Sequence, residues 1–190
     1  MIVARTAELA EEHLTAGAMS CPRCGGRLTR WGFGRPRTVR SHGRATVVLR
    51  PRRVRCTGCL DTHIVVPAAF QARRADTTAV IGQALLHKAH GLGYRHIAEL
   101  MGRAESTVRR WLGRATPAHL NWIYQQGVQR LVQIAPDPLA DQKFTGNPVR
   151  DSLSALGAAA FWDRRRFGFT EPPWTLIGSY TSGRLLAPPR

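Results

Sequence analysis

Four cysteines are the residues of this sequence whose types and spacing most directly suggest chemistry. They form two pairs, Cys21-x-x-Cys24 and Cys56-x-x-Cys59. Two intervening residues let both thiolates of a tight turn point at one ion, and two such turns complete a tetrahedron around zinc. Because protein sulfur fills all four positions, we predict a structural Zn²⁺ site without a catalytic water. Redox or disulfide use of the cysteines is the alternative.

A small antiparallel sheet is predicted to position the cysteines. Strand-forming runs occur at 27–33, 45–49, 52–55 and 62–66, and the long insert between the two pairs implies a β-hairpin. From Cys21 to Cys56 there are eleven arginines and no acidic residue. A segment this small and charged buries too little apolar surface to fold alone, so we expect folding to need the metal. Leu60 follows the second pair where many such turns carry glycine, so we expect that turn to be tighter or to depend on Gly58.

A second group of residues is arranged as two short helices with a tight turn between them. Apolar spacing predicts helices at 94–101 and 105–112, and Gly102 supplies a left-handed turn between them. A preceding helix is predicted from 77 to about 90, with Asp76 as its cap. This arrangement is typical of a helix-turn-helix. The residues expected to face inward are Ile97, Met101, Val108 and Trp111.

The outward face of the second helix suits the major groove of duplex DNA, because arginine binds guanine or phosphate and hydroxyls bind backbone or base edges. The candidate DNA-binding residues are Ser106, Thr107, Arg109, Arg110, Arg114, Arg95, Arg52 and Arg53. Two features weaken this interpretation. Arg103 occupies a turn position that is more often apolar, and Ala104 is a poor helix cap. The alternative is an ordinary helical hairpin with solvated arginines.

Composition supports a polyanionic partner. The chain has 190 residues, with 28 Lys and Arg against 12 Asp and Glu, and a formal net charge of +16. Only Lys88 and Lys143 are lysines, and such a field attracts nucleic acid. No apolar run is long enough for a membrane span or a signal core. We therefore expect a cytoplasmic, nucleoid-associated protein, whose reducing environment favours metal-bound cysteines.

The remaining sequence completes an α+β fold: a small antiparallel zinc ribbon, a helix-turn-helix and an all-α C-terminal region. Helical periodicity continues beyond Pro117 to Pro136, and Asn147-Pro148 starts another helix to about 166. The predicted units are an N-terminal helix or tail (1–20), the zinc ribbon (21–70), the helix-turn-helix domain (71–116) and a helical C-terminal region (117–190).

The segment from Cys21 to Arg114 resembles the N-terminal module of bacterial insertion-sequence transposases, in which a zinc ribbon precedes a helix-turn-helix. The resemblance rests on the first cysteine pair, the basic run before Cys56, and the segment from Ser106 to Leu112. The chain is also similar to short zinc-ribbon/helix-turn-helix proteins found near mobile elements in GC-rich bacteria. These resemblances imply binding to DNA ends or operators, and they do not imply catalysis.

We expect no enzymatic activity and no small-molecule substrate. A strand-transfer domain needs three well-separated carboxylates on a long mixed sheet, and only about 75 residues follow the second helix. No glycine-rich phosphate loop and no nucleophile constellation is present in the sequence. We interpret the later acidic residues as solvated or capping; they are Asp137, Asp141, Asp151, Asp163 and Glu171.

Three functions remain in competition. The leading hypothesis is sequence-specific binding of double-stranded DNA, as a transposition accessory protein or a transcriptional regulator. The second is an RNA-binding or ribonucleoprotein-binding zinc ribbon with a helical protein-interaction platform; Trp31 and Phe33 could stack on bases, although we expect them to pack beneath the sheet. The third is a transposase remnant without its catalytic domain, whose C-terminal helices form a homodimer or bind a separately encoded transposase subunit.

Overall fold

A computed structural model describes residues 1–134 and 144–186 of the chain. These residues form a mixed α+β fold in which strands precede most of the helices. The strands are β1 (Ile2–Ala4), β2 (Leu28–Phe33), β3 (Arg37–Arg40), β4 (Thr46–Leu49), β5 (Arg52–Cys56) and β6 (Thr62–Pro67). The helices are α1 (Ala7–Thr15), α2 (Thr78–Ala89), α3 (Tyr94–Met101), α4 (Glu105–Leu112), α5 (Pro117–Ile134), α6 (Pro148–Phe167) and α7 (Pro173–Tyr180).

Four strands form the larger sheet, in the order β1-β6-β5-β2. The β1–β6 pair is parallel, whereas β5 is antiparallel to both β6 and β2. The sheet places Leu28 opposite Cys56, so the end of β5 lies beside the start of β2. Strands β3 and β4 form a separate antiparallel hairpin, hereafter the inserted hairpin, which packs through Val39 and Leu49 against Val66.

Helix α1 covers one face of the larger sheet. Its first turn is capped by the Thr6 hydroxyl, which accepts a hydrogen bond of 3.1 Å from the backbone N–H of Leu9. Ala10 and Leu14 then pack against the sheet in a cluster of eight buried residues, which are Ala10, Leu14, Met19, Cys21, Leu28, Val54, Cys56 and Val65. Two members of this small core are cysteines of the predicted metal site.

The helices share a second, larger core. Seventeen buried residues from α2 to the segment after α7 form one apolar cluster, centred on fully buried side chains such as Ile81, Ile97 and Leu156. Helices α5 and α6 approach closely at Gly127, where an added Cβ would lie 2.7 Å from the backbone nitrogen of Leu156. Arg130 of α5 donates two hydrogen bonds, of 2.8 and 2.6 Å, to the carboxylate of Asp163 on α6. Asp163 is only 1% exposed, so the interpretation of this residue as solvated or capping is wrong; it is the buried partner of Arg130.

A short segment after β6 joins the two cores. The backbone N–H of Leu185 donates to the side-chain oxygen of Gln71 over 2.9 Å, and the Thr78 hydroxyl donates to the carbonyl of Ala68 over 2.8 Å. Gly178 of α7 lies so near Ala68 that a Cβ would be 2.0 Å from its carbonyl oxygen. The C-terminal helix is therefore docked on the residues that link sheet and helices.

Most of the predicted elements are confirmed, and three differences have physical causes. Strands β1 and β3 were not predicted, because each is short and depends on its partner strand. The prediction of Asp76 as a cap is wrong: Thr77 caps α2, accepting a 3.4 Å hydrogen bond from Val80 N–H, and Asp76 is in ion pairs. The predicted helix end at Pro136 and the interpretation of Asp137 and Asp141 lie outside the described residues.

None of the helices in residues 1–134 and 144–186 has the length and apolar character needed to cross a lipid bilayer.

Candidate metal centre and basic helical surface

The fold brings the sulfur atoms of the four cysteines into one cluster. All four lie within 4.8 Å of one another. The Sγ atoms of Cys21 and Cys59 are 3.7 Å apart, and those of Cys24 and Cys56 are 3.4 Å apart. Four sulfurs bound tetrahedrally at about 2.3 Å from one ion would be about 3.8 Å apart. The spacing of the cluster therefore fits a tetrahedral metal ion.

Two tight turns create this geometry. In the first, Gly25 has φ +72° and donates a 2.9 Å hydrogen bond to the carbonyl of Cys21. The following Gly26 faces the sulfurs, since a Cβ there would lie 3.0 Å from Cys56 Sγ. In the second turn Leu60 takes the equivalent left-handed conformation, with φ +64°. Leu60 thus adopts a conformation that favours glycine, at a steric cost, and Gly58 contributes an N–H that donates to Cys56 Sγ over 3.3 Å.

The surroundings of the cluster shift the thiol pKa values of Cys56 and Cys59 in opposite directions. The backbone N–H of Cys59 lowers the pKa of the Cys56 thiol to about 6, helped by the N–H of Gly58 at 3.3 Å. At Cys59 the N–H of Asp61 lowers the pKa, but burial and the three neighbouring thiols raise it to about 12. Without a cation, the four thiols cannot all ionise at neutral pH. A divalent ion would remove this conflict by attracting every sulfur.

Other polar groups surround the cluster. His63 Nε2 lies 3.3 Å from Cys21 Sγ, and Arg23 donates a 2.8 Å hydrogen bond to Asp61. Cys21 and Cys56 are buried, Cys59 is half-buried and Cys24 is exposed. The four cysteines alone supply a full tetrahedral set, which would leave no ligand position for a substrate.

The second predicted site lies on α3 and α4. Gly102 joins these helices with φ +60°, and Ile97, Val108 and Trp111 are buried between them and α2. Four of the five candidate residues on and just after α4 are exposed. Ser106, Arg109, Arg110 and Arg114 are exposed, and Thr107 is half-buried. Arg95 of α3 is also exposed and lies 3.7 Å from Glu105 in a solvent-facing ion pair.

Arg52 and Arg53 lie on β5 of the larger sheet. Arg52 donates a 2.5 Å hydrogen bond to Glu11 of α1, and its guanidinium lies 3.7 Å from the centre of the Phe33 ring. Its side chain is only 16% exposed. Arg53 is half-buried beside Ile64 of β6. Arg52 thus already has an acidic partner, unlike the arginines on the outward face of α4.

The sequence analysis did not predict the ion pair that Arg103, just before α4, forms with Asp76. Arg103 is almost completely buried and donates to Asp76 over 2.9 Å, and Asp76 also accepts a 2.7 Å hydrogen bond from Arg40 of the inserted hairpin. Arg103 itself was the signal for this ion pair, because an arginine at a buried turn position needs an acidic partner.

Two aromatic side chains differ from expectation. Trp31 and Phe33 are 49% and 44% exposed, so the expectation that they pack beneath the sheet is wrong. Arg55 lies over the Trp31 ring, 4.6 Å from its centre. Trp31 is thus a half-exposed ring held by a cation–π contact with Arg55.

Comparison with known proteins identifies one similar family. A family model described as a domain of unknown function, DUF6431, matches residues 21–111. The matched segment starts at the first cysteine and ends at Trp111, so it contains both cysteine pairs, the inserted hairpin, and most of α4. No curated protein and no solved structure matches the chain.

Proposed function

We propose that this protein is a zinc-stabilised, non-catalytic protein that binds double-stranded DNA sequence-specifically, as a transposition accessory protein or a transcriptional regulator. The observation that carries the proposal is the outward face of α4, where Ser106, Arg109 and Arg110 are exposed on a short helix held by a buried contact with α3. Such a helix can enter the major groove, where arginine reads guanine.

Two further observations support this proposal. The chain carries a formal net charge of +16, which attracts a polyanion over long distances. The order of the elements, a four-cysteine sheet followed by two helices joined at Gly102, agrees with the resemblance to transposase N-terminal modules. Under this proposal α3 and α4 are a helix-turn-helix and residues 21–70 are a zinc ribbon.

Zinc is proposed as the metal because four thiolates at tetrahedral spacing match its preferred ligands. Its role would be structural, since cysteines occupy all four positions. Metal analysis of the purified protein should give one zinc per chain. A protein that contains iron and shows the absorbance of an iron–thiolate centre would contradict the zinc assignment without affecting DNA binding.

DNA binding is tested by selecting bound fragments from a random duplex library and measuring affinity for the recovered site and for random DNA. Arg109→Ala should lower the ratio of these affinities by about 5- to 150-fold, equal to 1–3 kcal/mol for one bidentate base contact. The matched control is Arg165→Ala, which removes an exposed arginine from α6. Equal losses on specific and random DNA for Arg109→Ala would count against base reading by this residue.

The RNA-binding alternative is favoured by one observation, the exposed Trp31 ring beneath Arg55. Aromatic rings on an open sheet stack on the bases of single strands. Competition between duplex DNA and structured RNA distinguishes the two functions. Preference for RNA, lost in Trp31→Ala but retained in Arg109→Ala, would favour the alternative.

A further inference from the structure

The inserted hairpin has no role in the function proposed so far. Its strands pair from Arg37↔Leu49 to Arg40↔Thr46, and its tip is closed by a 2.8 Å hydrogen bond from Ser41 N–H to the Ala45 carbonyl. Arg44 at the tip is exposed. The metal cluster does not require this hairpin, since all four cysteines lie outside it.

The tip of the inserted hairpin is fixed to the start of α4. Arg103 donates hydrogen bonds of 2.6 Å to the Ser41 carbonyl and 3.1 Å to the Gly43 carbonyl. The Arg103 side chain is only 4% exposed, and its contact with the Ser41 carbonyl is partly buried. A buried arginine that binds two carbonyls of a loop tip holds that loop in one position.

Asp76 strengthens this attachment. Its carboxylate, 3% exposed, binds both Arg103 and Arg40. The backbone of Arg40 is bonded on both sides, since its N–H donates to Ala75 over 2.7 Å and its carbonyl accepts from Thr77 N–H over 3.0 Å. The hairpin is thus held at the beginning of α2 as well as the beginning of α4.

The other end of strand β3 lies near the end of α4. Arg37 donates a 3.3 Å hydrogen bond to the Arg74 carbonyl. Partial burial lowers the pKa of the Arg74 guanidinium, and repulsion from Arg114 and Arg110 lowers it further, so these three charges are neighbours. Within the part of the chain that the structure describes, none of the three forms an ion pair with a carboxylate. Guanidinium groups clustered without a carboxylate are suited to bind phosphate.

We propose that the inserted hairpin is a wing that binds backbone phosphates of the same duplex whose major groove receives α4. The inference rests on the proposed function, because it assumes that α4 binds duplex DNA. Arg44 at the tip is the phosphate contact of the hairpin itself. Arg74 lies outside the hairpin and is attached to it through Arg37, and it supplies a second contact on the same side. Arg103, Asp76 and Arg40 are positioning residues that fix the hairpin relative to α4.

The test uses the 190-residue protein supplied with zinc and measures the salt dependence of its binding to two 40-base-pair duplexes, one of random sequence and one with the selected site. Each phosphate contact contributes about 0.9 to the slope of log K against log salt concentration. Arg44→Gln and Arg74→Gln should each reduce the slope by about 1. Each should also weaken binding to both duplexes alike, by about eightfold at 0.1 M salt. Arg165→Gln, which removes the same charge from α6, should leave slope and affinity unchanged.

The possible outcomes distinguish a failure of the wing proposal from a failure of the proposed DNA binding. An unchanged slope for Arg44→Gln, whatever the result for Arg74→Gln, together with lost specificity in Arg109→Ala, would overturn the wing and leave DNA reading by α4 intact. A slope reduced to the same extent by Arg165→Gln would also overturn it, because the effect would then be one of net charge. If the unmodified protein binds neither duplex at low salt, the wing and the proposed function fail together.

Discussion

The sheet region (residues 2–67) and the helical region (78–186) differ in how much apolar surface they bury on folding. The sheet region has a cluster of eight buried residues, two of which are cysteines, and a separate cluster of three under the inserted hairpin, whereas the helical region buries seventeen residues in one cluster. Apolar burial stabilises in rough proportion to the area removed from water, so the helical region can be stable through packing alone. The sheet region has a small core and a high density of arginine, and it needs a further source of stability.

The two regions also use buried charge differently. In the helical region the Asp163 carboxylate is bound by Arg130 and by the Tyr180 hydroxyl, which ties α5, α6 and the end of α7 together. At the boundary, Asp76 connects the inserted hairpin to α2 and α4. The charge at the boundary thus fixes one region relative to the other.

Metal removal should have the largest effect and should be confined to the sheet region. A structural zinc ion contributes on the order of 10 kcal/mol to the folding of a small domain. After chelation we expect amide hydrogens of residues 21–67 to exchange rapidly, while those of α2, α5 and α6 stay protected. Hydrogen-exchange mass spectrometry measures both, and adding zinc back is the control. Unchanged exchange in residues 21–67 would mean that the sheet region does not depend on metal.

Asp76→Asn should have the next largest effect. It leaves the buried guanidinium of Arg103 without a counter-charge, and breaking a buried ion pair in this way costs about 3–5 kcal/mol. The matched control is Asp61→Asn, whose partner Arg23 has a side chain 69% exposed and whose loss should cost at most about 1 kcal/mol. Urea unfolding measures both. Equal losses in the two variants would show that Asp76 does not hold the regions together.

A pair of glycines tests packing within the helical region. Gly127→Ala places a methyl group against the backbone of α6 and should lower the free energy of unfolding by about 1–3 kcal/mol. Gly157 on α6 is exposed, and an added Cβ there meets no heavy atom within 4 Å. Gly157→Ala should therefore stabilise the protein by about 1 kcal/mol through helix propensity. Thermal unfolding measures the melting temperature of both variants. Melting temperatures that shift in the same direction would contradict the packing argument.

Leu60→Gly tests the strained turn of the sheet region. Releasing a non-glycine residue from φ +64° should stabilise the folded state by about 1 kcal/mol. Leu60 is 58% exposed, so little apolar burial is lost. Leu60→Ala keeps a Cβ in the same conformation and should show no such gain. Competition with a zinc chelator compares the zinc affinities of the two variants. Equal affinities for Leu60→Gly and Leu60→Ala would contradict this expectation.

Acidification provides the smallest and most selective test of the helical region. Burial lowers the pKa of His119 below 6.5, although its Nε2 atom is 3.0 Å from the Leu185 carbonyl. In the unfolded chain this histidine binds a proton more readily than in the folded protein. At a pH well above 6.5 neither state is protonated, and the histidine does not change the free energy of unfolding. As the pH falls below 6.5 the unfolded state gains a proton first, so the free energy of unfolding decreases. His119→Gln should show a smaller fall in unfolding free energy between about pH 7.5 and pH 5.5. Metal release affects both proteins equally, so an identical fall would contradict the buried neutral histidine.

Local sequence patterns were sufficient for the elements whose residues pack on near neighbours. The spacing of Ile97 and Met101, the glycine at 102 and the apolar positions of the second helix predict two helices whose approximate bounds agree with α3 and α4. The cysteine spacing likewise predicted which four side chains come together. In both cases the information lies within a few residues or in a side chain with one dominant chemistry.

Features that depend on distant partners could not be predicted. Strand β1 has only three residues and exists because β6 pairs with it, and Arg103 is an anomaly until the buried Asp76 is known. Trp31 has the character of a core residue, yet nothing in its own strand reveals that its face of the sheet is open. Buried ion pairs and sheet edges are properties of the assembled fold.

The hydrogen bond between Leu185 and Gln71 has a consequence for biosynthesis. All four cysteines leave the ribosome well before residue 185, so the nascent chain can take up its metal while the joint after β6 still lacks α7. The hydrogen bond between Leu185 and Gln71 joins residues 114 positions apart in the sequence, so it forms late in folding. The cysteine cluster can therefore bind a metal ion before this contact forms, while the chain is still being synthesised.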